Sequence, residues 1–157
     1  MELNLLERID EFSPGSFGAV YKAELGSLLV CVKIMRVHFE TLDEHTVESF
    51  RQEADFLLRT KHPNLVRFLG MGETKDDPPQ PFVVLELVLQ GSLSELLHVK
   101  KVQLNHRRKL SLAHDVACGL AFIHALGKLH RDIKPGNVLV TSDWVAKITD
   151  FGSIRNS

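Results

Sequence analysis

Two short polar motifs in the last third of the chain constrain its fold more than any other feature. Residues 130–137 read HRDIKPGN, and residues 150–152 read DFG. The first motif places Asp132, Lys134 and Asn137 in one loop, and the second opens with Asp150. Carboxylate and amide oxygens are the ligands that hard divalent cations prefer, so these side chains beside a lysine point to a site for a metal and a charged substrate.

The order and spacing of the two motifs resemble those of the protein kinases, where they form the catalytic loop and the metal-binding Asp-Phe-Gly element. The resemblance implies that Asp132 orients the acceptor hydroxyl and accepts its proton, while Lys134 neutralises charge on the transferred phosphoryl group. It also implies that Asn137 and Asp150 bind the Mg2+ that accompanies ATP. Two unrelated polar loops are the alternative, which the shared spacing disfavours.

The residues around the catalytic aspartate carry two further expectations. Residues 134–137 (KPGN) resemble the loop of serine/threonine kinases, since tyrosine kinases usually carry an arginine-containing variant there. His130 is expected to be a structural imidazole that packs against Phe151, rather than an acid or a base.

A strand-turn-strand pattern near the start of the chain resembles the glycine-rich flap of the family. The motif is weak alone, because Ser13 replaces its first glycine, and an ordinary hairpin turn is the alternative. Gly15 and Gly18 would let backbone amides approach a triphosphate, and Phe17 would shield it from water. The predicted cofactor-binding residues of this segment are Phe12, Ser13, Pro14, Gly15, Ser16, Phe17, Gly18, Ala19 and Val20.

Residues 30–33 (VCVK) resemble the strand that carries the ATP-binding lysine of the family. Alternation places Lys33 on the same face as Cys31, and a lysine on a half-buried face needs a partner. Glu53 is the predicted partner, because residues 50–53 (FRQE) and 62–66 (HPNLV) match the kinase helix and the turn after it. Without that match, Lys33 would be interpreted as a surface lysine and Glu53 as an exposed helix residue.

The resemblance also implies an adenine pocket. Val20 and Cys31 would form its ceiling, where Cys31 replaces the usual alanine, and Leu139 would form its floor. Leu85 falls at the gatekeeper position, and the backbone near Glu86 and Val88 would bond the adenine edge. Ordinary core packing of these residues is compatible with this role, since most pocket walls are core residues.

Hydrophobic periodicity predicts an α+β chain. We expect a protein-kinase-like bilobal fold, with an N-lobe at residues 1–89 that contains a five-stranded antiparallel sheet and one helix, and the first part of a mainly helical C-lobe at residues 90–157. The longest predicted helix has Ala113, Val116, Ala117 and Leu120 on one face and ends at Gly127. Strands are predicted at residues 3–12, 17–25, 27–36, 65–70 and 81–89, and helices from residue 41 to before residue 62, at 92–98 and at 107–126.

Charge and cysteine content exclude several function classes. The 19 Lys and Arg residues nearly cancel the 20 Asp and Glu residues, so nucleic-acid binding is disfavoured. No stretch resembles a signal peptide or a membrane span, and two cysteines are too few for a disulfide framework, so we expect an intracellular protein of the cytoplasm, or of the nucleus. His114 and Cys118 have a spacing that some zinc sites use, but no second ligand pair lies nearby in sequence.

We therefore expect a serine/threonine protein kinase of the tyrosine-kinase-like group that uses ATP and Mg2+ to phosphorylate a protein substrate. The sequence stops five residues after Gly152, so a truncated kinase is expected, and residues 1–157 alone should have little kinase activity. A non-catalytic module that binds nucleotide or another kinase is the alternative. A small-molecule phosphotransferase of the aminoglycoside-kinase type is disfavoured, because those enzymes usually replace the residue at Arg131 with glycine and lack the Asp-Phe-Gly element.

Overall fold

A computed structural model describes residues 3–8, 18–35, 52, 54–75, 77 and 79–156. The chain divides into two compact units. The first unit contains Met1–Leu58 and Arg67–Leu87, and the second contains Arg59–Val66 and Val88–Ser157. The expected domains at 1–89 and 90–157 stay a prediction, and the units differ from them in that residues 59–66 and 88–89 lie with the second unit.

The first unit contains one five-stranded sheet, as predicted. The strands lie in the order β1-β2-β3-β5-β4, and each pair of neighbours is antiparallel. One face of the sheet packs into a core of small and β-branched side chains, which suit a pleated, half-buried surface. The strands are β1 (Leu3–Arg8), β2 (Gly18–Leu25), β3 (Leu28–Met35), β4 (Phe68–Glu73) and β5 (Pro81–Glu86). This core cluster contains Ala23, Val30, Val32, Ile34 and Val84.

The predicted position of β4 is wrong. Residues 65–70 were expected to form it, but the strand runs over Phe68–Glu73. Leu65 and Val66 belong to the second unit, where Leu65 forms a parallel bridge with Ile148 and the Val66 N–H donates to the Ile148 carbonyl at 2.9 Å. Leu65 and Val66 therefore pair with β8, whereas the residues from Phe68 onward pair with β5. The other strands agree with expectation to within three residues at each described end, and residues 9–12 of the first predicted strand lie outside the described residues.

The described part of helix α1 covers residue 52 and residues 54–59, and its end before His62 agrees with expectation. Its predicted beginning near residue 41 lies outside the described residues. Ala54 and Leu57 are buried, with 4% and 2% of their surface exposed.

The second unit is built around helix α2 (His106–Ala125). Asn105 caps the helix, because its side-chain oxygen accepts from the Arg108 N–H at 2.9 Å. Gly127 follows with a φ of 66°, which confirms the predicted stop. A π-helical turn (Glu95–Val99) precedes the helix, and four short strands follow it. These strands are β6 (Lys128–Leu129), β7 (Val138–Val140), β8 (Ala146–Ile148) and β9 (Arg155–Asn156), with β6 paired to β9 and β7 paired to β8.

The predicted buried face of α2 is wrong in part. Ala113 and Ala117 are exposed, whereas Leu112, Gly119 and Ile123 are the buried residues of the helix. Leu112 packs in a core beneath the β7–β8 hairpin, together with the half-buried Val116. An alanine side chain buries little apolar area. The larger side chains, and the close approach of Asn64 and Ile148 to Gly119, therefore decide which face of α2 is buried.

In the parts of the chain that the structure describes, no helix is both long and apolar enough to cross a bilayer.

Candidate functional site

Two predicted catalytic residues, Asp132 and Lys134, form one hydrogen-bonded cluster with the predicted metal ligand Asn137. The Asn137 side-chain amide donates to the Asp132 backbone carbonyl and to Asp132 Oδ2, both at 2.9 Å. Lys134 Nζ lies 2.9 Å from the same Oδ2. Asn137 is buried, whereas Asp132 and Lys134 keep 38% and 57% of their side-chain surface exposed. The carboxylate is therefore oriented from two sides and still reaches solvent.

The cluster also fixes the charge of its members. The hydrogen bond and the charge of Lys134, assisted by Asn137, hold the pKa of Asp132 below its ordinary value of 3.8. Asp132 in turn raises the pKa of Lys134, to which the charge of Asp150 adds. At neutral pH the site therefore contains an ionised carboxylate beside a protonated amine.

The β7–β8 hairpin brings the second motif to the first. Val138 pairs with Ile148, and the Thr149 N–H donates to the Asn137 carbonyl at 3.0 Å. Asp150 is the next residue, and its φ of 61° is a backbone conformation that few non-glycine residues adopt. The two predicted metal ligands, Asn137 and Asp150, therefore lie at the same end of one hairpin.

His130 supports both motifs. Its ring is 1% exposed and lies edge-on to Phe151, with ring centroids 5.4 Å apart, which confirms the predicted packing. Nε2 donates to the Thr149 carbonyl at 2.9 Å, and Nδ1 accepts from the Asp132 N–H at 3.3 Å. A carbonyl can only accept and an amide N–H can only donate, so these bonds require a neutral imidazole with its proton on Nε2. The ring therefore connects the backbone of the first motif at Asp132 to that of the second motif at Thr149.

Four predicted cofactor-binding residues of the first unit share one face of its sheet. Val20 lies opposite Lys33, and Cys31 lies opposite Leu85. Opposed residues of antiparallel strands point to the same side, as do residues two apart in a strand. Val20, Cys31 and Lys33 are half-buried and Leu85 is 7% exposed. This face is opposite the one that carries the core cluster of Ala23, Val30, Val32, Ile34 and Val84.

Other predicted residues lie elsewhere. Ala19 lies opposite Ile34 and Glu86 lies opposite Val30, so both are on the face that carries the core cluster. Only their backbone groups could therefore contact a cofactor on the other face. The Glu86 N–H donates to the Arg67 carbonyl at 2.9 Å, and its carboxylate accepts from the Arg67 N–H at 2.7 Å.

Val88 and Leu139 belong to the second unit, where Leu139 lies in β7. Gly18 is the first residue of β2. Several predicted residues lie outside the described part of the chain: Phe12, Ser13, Pro14, Gly15, Ser16, Phe17 and Glu53.

Sequence reasoning gave no role to two residues that hold the site together. The buried Asn64 donates to the Ala146 carbonyl at 3.0 Å and, through its own carbonyl, accepts from the Ile148 N–H at 2.8 Å. Asp115 accepts from the Ala146 N–H at 2.9 Å. Both contacts fix β8, which leads into Asp150. Asn64 lies in the kinase-like turn at residues 62–66, which did not indicate its contacts to β8, and the only signal for Asp115 was its polarity beside an apolar run.

The sequence model of the family described as protein tyrosine and serine/threonine kinase matches residues 6–157. The chain belongs to the protein kinase family. Its relatives include proteins named serine/threonine-protein kinases and members of the tyrosine-kinase-like group, as predicted. Among the described residues no group of three or more His, Cys, Asp or Glu side chains could hold a metal.

Several curated kinases resemble nearly the whole chain. The serine/threonine-protein kinase CTR1 of Arabidopsis thaliana is 37% identical over 158 residues, which cover 98% of this chain and 18% of that protein. The dual specificity protein kinase shkC of Dictyostelium discoideum is 37% identical over 153 residues, covering 96% and 29%. The serine/threonine-protein kinase TNNI3K of Mus musculus is 34% identical over 157 residues, covering 99% and 18%. The chain therefore spans less than a third of the length of these kinases.

Proposed function

We propose that this kinase chain binds Mg-ATP and takes part in transfer of the γ-phosphoryl group to a serine or threonine hydroxyl of a protein. The observation that carries the proposal is the cluster around Asp132, in which Lys134 and Asn137 both contact the same carboxylate. An ionised, oriented and solvent-accessible carboxylate beside a lysine suits a transfer in which positioning and charge stabilisation supply most of the catalysis.

In the proposed reaction, Asp132 Oδ1 or Oδ2 accepts a hydrogen bond from the acceptor hydroxyl and aligns its oxygen with the phosphorus. Asp132 takes the proton late in the transfer. Its lowered pKa keeps the carboxylate ionised until then. Lys134 moves from the carboxylate toward the phosphoryl oxygens, where its ammonium balances their charge. The paired state of Asp132 and Lys134 is in our proposal the resting arrangement.

The residues at the end of the β7–β8 hairpin fit a magnesium ion. The Asn137 amide nitrogen donates twice to Asp132, which leaves its carbonyl oxygen as the ligand atom, and Asp150 supplies a carboxylate from the adjoining turn. Bound magnesium neutralises charge on the phosphates of ATP. In the first unit, we propose that Lys33 binds those phosphates and that Val20, Cys31 and Leu85 contact the adenine, since all four share one sheet face.

Calorimetric titration with Mg-ATP tests the binding half of this proposal. Lys33→Met and Asp150→Ala should each weaken Mg-ATP binding at least about tenfold, because the first removes the charge proposed to bind the phosphates and the second removes a proposed ligand of the magnesium. Lys109→Met and Asp143→Ala remove the same charges from exposed positions outside the proposed site and should leave affinity unchanged. Equal affinity in all five proteins would refute these assignments.

Kinetics test the catalytic half, in the gene product that contains residues 1–157. Asp132→Asn should abolish transfer and leave ATP affinity nearly intact, since Asp132 faces the acceptor in the proposed mechanism. Phosphate should appear on serine or threonine, although the similar shkC is named a dual specificity kinase. Tight ATP binding without any transfer by the wild type would instead support the non-catalytic module.

We also propose a cytoplasmic location. The proposal is supported by the two-cysteine content of the chain, which is typical of a reducing compartment. Fractionation of cells that express the tagged protein tests it.

A further inference from the structure

The small net charge of the chain is the sum of two units with opposite charge. The first unit contains 7 Lys and Arg residues and 15 Asp and Glu residues, a net charge of −8. The second contains 12 Lys and Arg residues and 5 Asp and Glu residues, a net charge of +7. Such asymmetry between parts of a chain is typical of proteins that bind an anionic surface or polymer. The second unit is therefore the part that could bind an anionic partner.

Much of this positive charge is concentrated in residues 98–110, which we call the basic segment. It contains five of the twelve Lys and Arg residues of the unit, and no acidic residue occurs between Glu95 and Asp115. Val102 and Leu104, in the middle of the segment, pack in the core beneath the β7–β8 hairpin. The charges on either side of them are therefore held at one part of the surface.

Three of the five charges have no role within the described structure. Lys100 pairs with Glu95 at 3.0 Å, and the Arg108 guanidinium lies 4.0 Å from the centroid of the Trp144 ring. The other three side chains belong to exposed residues, and none has an ion-pair partner among the residues that the structure describes: Lys101, Arg107 and Lys109.

The stability of α2 does not account for these charges either. The first turn of the helix contains no acidic residue. Cations in the first turn oppose the helix dipole, so the positive charge there lowers the stability of the helix. The basic segment therefore suits a partner outside the helix.

Two exposed aliphatic side chains accompany the charges. Val99 is 74% exposed and precedes Lys100, and Leu110 is 58% exposed and follows Lys109. The segment contains no Phe, Tyr or Trp on which nucleic-acid bases could stack. An acidic peptide would match the charges alone. An anionic bilayer matches both features, because aliphatic groups enter its interface while Lys and Arg bind its headgroups.

We propose that the basic segment docks the second unit onto a membrane surface that contains anionic phospholipids. Lys101, Arg107 and Lys109 bind the lipid headgroups, and Val99 and Leu110 insert between them. The docking is peripheral, and it requires neither nucleotide binding nor phosphoryl transfer.

Sedimentation with lipid vesicles tests the proposal on the gene product that contains residues 1–157. The protein should bind vesicles that contain phosphatidylserine and should not bind vesicles of phosphatidylcholine alone. Binding should be lost in about 1 M NaCl, where the screening length is about 3 Å. Equal binding to both kinds of vesicle, or binding to neither, would overturn the proposal. Binding to duplex DNA or polyglutamate without binding to vesicles would overturn it in favour of that partner.

A triple variant tests whether the unpaired charges carry the binding. Each Lys or Arg near an anionic surface contributes about fivefold to binding, so removal of three should weaken it about 100-fold. The positions are exposed, so circular dichroism should show an unchanged fold. Retention of vesicle binding would refute the assignment. The three substitutions are Lys101→Gln, Arg107→Gln and Lys109→Gln.

A control variant removes the same charge from exposed positions outside the basic segment. It should bind phosphatidylserine vesicles as the wild type does, because the lost charges do not face the membrane in the proposed arrangement. An equal loss of binding in the control would show that only total charge matters and would refute the docking surface. The substitutions are Lys61→Gln, Arg67→Gln and Lys75→Gln.

Shortening of the two aliphatic side chains tests their insertion. Val99→Ala and Leu110→Ala should each weaken vesicle binding at least about fourfold, which is the contribution of one buried CH2 group. Met71→Ala shortens an exposed apolar side chain of the first unit and should leave binding unchanged. Unchanged binding in both Val99→Ala and Leu110→Ala would contradict the proposed insertion.

Discussion

Replacement of Gly119 by alanine tests the packing that holds α2 against the candidate site. In a solvent-exposed helix interior this change stabilises the protein by about 1 kcal/mol, because glycine has the greater backbone freedom to lose. At Gly119 a new Cβ would lie 2.9 Å from the Asn64 carbonyl oxygen and 2.9 Å from Ile148 Cδ1. The carbonyl cannot retreat freely, since it accepts the Ile148 N–H at 2.8 Å.

The two effects oppose each other, and the structure decides which is larger. An added methyl group in a well-packed core costs about 1–3 kcal/mol, and the bonded carbonyl favours the upper end of that range. Subtracting about 1 kcal/mol for helix propensity leaves a net loss of about 2 kcal/mol. Urea unfolding monitored by circular dichroism measures this loss.

A matched alanine substitution provides the control. Ser111→Ala changes an exposed position of the same helix and should stabilise the protein by about 0.5 kcal/mol. If Gly119→Ala were stabilising to a similar or greater extent, the close approach of α2 to Asn64 and Ile148 would be refuted.

Three further substitutions probe the same unit. Asn64→Ala should cost about 1–3 kcal/mol in urea unfolding, because the Ala146 carbonyl loses its buried donor; an unchanged midpoint would contradict that bond. Leu112→Ala should cost about 2–5 kcal/mol by the same assay, since the side chain is 4% exposed in the core beneath β7–β8; a loss well under 1 kcal/mol would show that the position is not packed. Lys134→Met should raise the pKa of Asp132 toward 3.8, as NMR titration would measure. Because that pKa is depressed in the folded state, the stability that Asp132 contributes is present above pH 3.8 and is lost as the pH falls through the folded value. The variant should therefore lose less folding stability on acidification. An unshifted titration of Asp132 would refute its pairing with Lys134.

The five-stranded sheet was predictable because its strands are long enough to show alternation, with turn residues between them. The same reasoning could not find β6 and β9, since strands of two residues have no period to detect. It also misplaced β4, because the apolar Leu65 and Val66 looked like its beginning. Their partner Ile148 is distant in sequence and only the folded chain reveals it.

In the candidate site, motif spacing identified Asp132, Lys134 and Asn137, which the structure brings together. The contacts of Asn64 and Asp115 were not predicted, although Asn64 lies in the kinase-like turn at residues 62–66, because each contact is to a backbone group of β8 that is distant in sequence. Sequence patterns therefore pointed to the groups proposed to carry chemistry more readily than to the groups that hold them in place.

The assignment of residues 59–66 to the second unit has a consequence for how this protein can be divided. The chain passes from one unit to the other after Leu58, Val66 and Leu87. A polypeptide that ends at residue 87 would carry Leu65 and Val66, which are 2% and 4% exposed, without the β8 strand that covers them. A cut after residue 87 would therefore leave Leu65 and Val66 as an exposed apolar segment on the first fragment. On the second fragment, β8 would lack its bridge partner Leu65. Exchange of one unit between related kinases should succeed only when residues 59–66 are exchanged together with the second unit.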